Sequence, residues 1–104
     1  MLIETPYKNG DIVAVKLVSG EEVIGRLEAE TSDHIKLNKP TVFANTPQGV
    51  ALVPFMQTMD LGLNPTVPLR AGNCTAVIKV AQELANVYIE GTSGIKLAPA
   101  GLKI

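Results

Sequence analysis

The chain has no tryptophan, one cysteine and one histidine in 104 residues, and each scarcity removes a class of function. A single cysteine cannot close an intramolecular disulfide, so a reducing, intracellular setting is expected. No Cys/His cluster has the spacing of a metal centre. His34 and Cys74 are the one conceivable nucleophile–base pair, and they fall on separate expected strands. No glycine-rich phosphate loop follows a strand, because the chain has no βαβ pattern. No catalytic residue, metal ligand or cofactor is assigned, and an enzyme is not expected.

Charge is scarce as well. A net charge of −1 and a pI near 5.7 give no global positive field, so any nucleic-acid contact must come from a local patch or from one multiplied by symmetry. Charged residues crowd into positions 1–39, whereas positions 40–59 have none. That stretch is not a membrane span, because Pro40, Pro47 and Pro54 interrupt it among Asn45, Thr46, Gln48 and Gln57. The opening Met1-Leu2-Ile3-Glu4 lacks the basic start and apolar core of a signal peptide. No membrane partner is expected. An uncharged stretch of this length needs cover on both faces, and exposed strands of this kind invite aggregation. Burial between copies of the chain is the expected remedy.

What is present reads mainly as β-structure in one domain, with a barrel over about residues 10–80. Asn9-Gly10-Asp11 is a turn, and Ile12 to Val18 alternates as a first strand. After Ser19-Gly20, a second strand runs from Glu21 to about Thr31. Gly25 in its middle has no side chain to pack and marks a bend that lets one strand serve both halves of a curved barrel. Thr31-Ser32-Asp33 turns into a third strand carrying Ile35, Leu37 and Val42. Thr46-Pro47-Gln48-Gly49 is a hairpin turn, followed by a fourth strand from Val50 to Gln57. Residues 58–73 read as an irregular connection. Cys74, Ala76, Ile78 and Val80 alternate along a fifth strand. The period then becomes helical over about residues 81–91, with Gly91 as C-cap, and residues 92–104 form an extended tail.

Residues 10–39, GDIVAVKLVSGEEVIGRLEAETSDHIKLNK, resemble the first motif of the Sm and Sm-like (LSm) family. The shared features are an apolar strand, a glycine turn, a second strand with a central glycine, and an Asp just before the third strand. The later half, with its hairpin and a helix after the last strand, looks more like the phage-encoded Sm-like branch. The resemblance implies a five-stranded, strongly bent antiparallel barrel of SH3-like type with a short C-terminal helix. It also implies a cytoplasmic homo-oligomeric ring, five to seven subunits round, in a bacterial or phage-infected cell. In such rings the fourth strand of one subunit pairs with the fifth strand of the next, which puts Val50, Leu52, Phe55, Cys74, Ala76 and Ile78 at the subunit contact.

The same resemblance directs attention to three residues for single-stranded RNA at the pore. Aligning Asp33 puts His34 where the family stacks an aromatic on a base, and Lys36 where it uses an Asn to read that base. Arg70-Ala71-Gly72 is the nearest match to the family's Arg-Gly pair. The plainer alternatives are a turn histidine, solvated strand lysines at Lys36 and Lys39, a loop-capping Arg70, Met56 and Met59 as filler, and an inert buried Cys74. Two functions follow. One is a ring that binds single-stranded RNA; the other is a structural or adaptor ring, for example in phage assembly, that docks protein partners and no nucleic acid.

Overall fold

The computed structural model describes residues 6–92. It is mainly β, with six antiparallel strands and one short C-terminal helix: β1 Ile12–Leu17, β2 Glu22–Glu30, β3 His34–Thr46, β4 Gly49–Pro54, β5 Thr66–Arg70, β6 Cys74–Lys79 and α1 Gln82–Thr92. The order β4-β3-β2-β1-β6 forms the main path, and β5 pairs with the first half of β3. Gly10 and Gly20 hold φ of 97° and 100° in the turns that flank β1, a region open to glycine at little cost.

The alternation foreseen in β1 and β2 sorts side chains to two faces. Val13, Val15, Val23, Leu27, Ile35, Leu37 and Leu69 form a buried aliphatic cluster on one face. Ile12, Ala14 and Ile24 point the other way and join Val80, Ala85 and Tyr88 beneath α1. A sheet that is apolar on both faces has to be covered twice. Curling of the sheet covers the first face, and the helix covers the second.

One of the two register breaks between β2 and β3 lies at Gly25. Between Ile24↔Thr41 and Arg26↔Asn38 the register shifts, so β3 carries an extra residue at Lys39-Pro40. Lys39 adopts φ 51°, the left-handed conformation common at bulges. A Cβ at Gly25 would stand 3.1 Å from both the Asn38 carbonyl oxygen and Leu37 Cβ. The glycine therefore serves close approach of β2 to the bulged β3, and the bend expected there is a property of the pair of strands.

The irregular connection expected over residues 58–73 is mostly ordered structure. It holds two short 3₁₀ turns, Leu61–Leu63 and Ala71–Asn73, with β5 between them. Strand β5 runs His34↔Arg70 to Asn38↔Thr66 against β3. Pro65 and Pro68 conceal it in the sequence. A proline is tolerated here because β5 pairs on one side only, so no second ladder asks for its missing N–H. Thr41 stands opposite Ile24 on one side and Pro54 on the other, so β4 and β5 lie in line along the same flank of β3. The expected five strands become six, with β4 a hairpin extension ending at Pro54 short of Gln57.

β5 and β6 end the sheet on opposite flanks, yet the three residues Ala71–Asn73 join them. The ends of the curled sheet therefore meet, although among the described residues no ladder pairs β5 with β6 and the sheet stays open. A bulge at Thr75 also changes the facing of β6. Lys16 pairs with Ala76 but Leu17 with Cys74. Cys74 and Val77 consequently both pack on the inner cluster, and Ala76 and Ile78 face out.

Helix α1 runs through Gly91 to Thr92, so Gly91 is not the expected C-cap. A Cβ there would meet Leu52 Cδ1 at 2.9 Å, so glycine at this position admits Leu52 to the helix surface. The tail expected over residues 92–104 lies, from residue 93 onward, outside the described residues. None of the described helices is long and apolar enough to cross a membrane.

Candidate nucleic-acid interface

His34 and Arg70, 36 positions apart in the sequence, are direct cross-strand partners in the β3–β5 ladder. Directly opposed side chains stand close enough to act on one ligand, their Cβ atoms about 5 Å apart. Lys36 follows two residues on and shares the outward face, since Ile35 and Leu37 between them point into the core. Its partner is Pro68, which leaves the lysine side chain exposed. The three residues singled out for RNA therefore form one surface.

Two local devices hold that surface. Thr31 Oγ1 accepts from the backbone N–H groups of Asp33 and His34 at 3.2 and 3.1 Å, fixing the turn that delivers His34. The Ala71 N–H donates to the Asp33 carbonyl at 2.8 Å, tying this turn to the 3₁₀ turn after Arg70. Between the two turns lies an open hollow of ≈ 440 Å³ lined by Ser32, Asp33, His34, Arg70, Ala71, Gly72 and Asn73. Its floor offers one cation, one carboxylate, an imidazole and small polar groups. The two ion pairs found among the described residues, Lys8–Asp11 and Lys79–Asp11, involve neither Lys36 nor Arg70.

Asn38 continues the same face and was not singled out from the sequence. Its Nδ2 reaches Asn64 Oδ1 at 3.0 Å and the Pro65 carbonyl at 3.2 Å, which anchors the start of β5. Asn64-Pro65 was the available signal, because Asn tolerates the left-handed φ of 58° found there.

Lys39 departs from its expected solvated position. Its Nζ donates to the Thr92 carbonyl at 3.2 Å, where a cation meets the last turn of α1. The Tyr88 hydroxyl answers from the helix, donating towards the carbonyls of Asn38 at 2.7 Å and Lys39 at 3.0 Å. Burial pushes the Tyr88 hydroxyl up to about 12, so it keeps the proton it donates. Lys39 is thus a structural latch and stands apart from the His34 face.

Cys74 donates its thiol to the Arg70 carbonyl at 3.3 Å. Burial, followed by the Glu30 carboxylate, raises its pKa and keeps it a thiol. Among the six positions placed at the subunit contact, Leu52, Phe55 and Cys74 pack within their own chain. Ala76 and Ile78 are exposed on β6, and Val50 pairs with Asn45 in the β3–β4 hairpin.

No protein-family model matches this chain, and a search of curated proteins finds no match either.

Proposed function

We propose that this protein is a non-catalytic, self-associating Sm-like β module that binds single-stranded RNA through His34, Lys36 and Arg70. The cross-strand pairing of His34 with Arg70 carries this reading. Imidazole supplies a flat face for a base, guanidinium and ammonium supply phosphate contacts, and a turn of small residues leaves room for a sugar. Self-association through the outer edges of β4 and β6, the fourth- and fifth-strand edges expected from the sequence, would repeat the site around an axis, five to seven times, and close into a ring. Repetition offsets the weakness of a site that holds only two full positive charges.

The test is a fluorescence anisotropy titration with oligo-U and oligo-A at low salt. Binding should weaken at least fivefold in Arg70→Ala and His34→Ala. For two phosphate contacts per site the slope of log affinity against log salt should be about −1.4. No binding to either oligonucleotide at tens of micromolar overturns the RNA reading. The structural or adaptor ring then takes its place, and one observation favours it. Leu84, Val87 and Ile89 leave large apolar surface exposed on α1, in a position to receive a protein.

A further inference from the structure

The bulge that anchors α1 also gathers two cations. Arg26 and Lys39 line one hollow of ≈ 200 Å³ together with Asn38, Tyr88, Ile89 and Thr92, at the end of the helix. That is roughly the space of six waters in the liquid. Both cations are half-buried, and no carboxylate is among the six lining residues. Like charges that share a half-buried hollow repel each other, and partial burial limits the water that screens them.

Carbonyl oxygens meet part of that charge. Arg26 Nη1 donates to the Gly10 carbonyl at 2.9 Å, and Lys39 Nζ to the Thr92 carbonyl at 3.2 Å. A guanidinium has five N–H donors and an ammonium three, so each keeps donors beyond its one carbonyl. A carbonyl supplies only a partial charge, and neither cation joins the two ion pairs of Asp11. The Tyr88 hydroxyl stands beside them, its proton committed to the carbonyls of Asn38 and Lys39. Burial raises its pKa, while a backbone hydrogen bond and the charge of Arg26 act against that rise. The guanidinium is therefore within electrostatic reach of the hydroxyl.

We propose that this hollow binds a small phosphate-type oxyanion, free phosphate or the head of a phosphate monoester, between Arg26 and Lys39. Guanidinium and ammonium hold such an anion through charge-assisted hydrogen bonds. A phosphate dianion matches two positive charges, where a carboxylate would match one. Bound there, it bridges β2, the bulge and the end of α1, and tightens the latch that Tyr88 and Lys39 form. The inference does not rest on RNA binding, because Lys39 stands apart from the His34 face.

Titration of the full-length protein with inorganic phosphate and with methyl phosphate, at about pH 8 and constant ionic strength, tests it. Either ligand should raise the unfolding temperature along a saturating curve, and the Tyr88 and Thr92 NMR signals should move with the same affinity. The tighter ligand assigns the source, free ion or monoester. Arg26→Gln and Lys39→Gln should each weaken that affinity at least tenfold. Lys16→Gln, which removes an exposed charge elsewhere, should leave it unchanged. Arg26→Gln keeps both latch residues and decides the matter if Lys39→Gln loosens the helix. Unaltered affinity in Arg26→Gln overturns the proposal, as does absence of saturation up to tens of millimolar. Saturation that leaves the Tyr88 and Thr92 signals still marks an adventitious ion only and overturns it too.

Discussion

The inner face of the sheet and the face beneath α1 bury similar kinds of strand residue but are held differently. Inside, Val15, Val23, Leu27 and Leu37 fill space with no polar group among them. Beneath the helix, the smaller cluster around Ile12, Ala14 and Ile24 is tied to the sheet by hydrogen bonds in both directions, Tyr88 to the bulge and Lys39 to the helix end. Thr92 Oγ1 adds a bond to the Tyr88 carbonyl at 2.8 Å. Aliphatic packing tolerates any arrangement that fills the volume, whereas this latch demands one register between helix and bulge. The inner face supplies stability; the outer one fixes geometry.

Substitutions can break that contrast or sharpen it. The largest effect is expected from Leu37→Ala, fully buried in the inner cluster, at about 2–5 kcal/mol in denaturant unfolding. Gly25→Ala comes next, at roughly 1–3 kcal/mol. Its new methyl presses on the Asn38 carbonyl, which Tyr88 holds in place, and relief would have to move both faces together.

Tyr88→Phe should cost about 1–3 kcal/mol by leaving two carbonyls short of a donor. It also carries a pH signature. The folded-state pKa is raised from 10.0 to about 12, so the stabilisation is complete below pH 10 and is lost as pH rises through 12. Wild-type stability should fall across that window, and Tyr88→Phe should fall less. Gly91→Ala should change stability by less than about 1 kcal/mol, since the gain in helix propensity is set against moving only the end of the Leu52 side chain.

The inner face was legible because period-two alternation in β1, β2 and early β3 leaves little choice of facing. Helix α1 was legible from its change of period. Strand β5 was not, because Pro65 and Pro68 are strand breakers everywhere except at an unpaired edge, and edges are set by tertiary structure. The bulge at Thr75 likewise depends on β1, not on local sequence, so Ala76 and Ile78 face opposite to Cys74. Lys39 and Tyr88, 49 positions apart, meet at the bulge that packs closely against Gly25. The pairing of His34 with Arg70 depended in turn on finding β5. Sequence resemblance nominated the two residues, and the strand that follows Pro65 and contains Pro68 puts them opposite each other.

Chemical-shift mapping with a short oligo-U reports on that pairing most directly. The account predicts that the amide and side-chain signals of His34, Lys36 and Arg70 move together, with those of Asp33 and Gly72 beside them, while β1 and α1 stay still. Shifts confined to the outer side of α1, or none at saturating oligonucleotide, would contradict it.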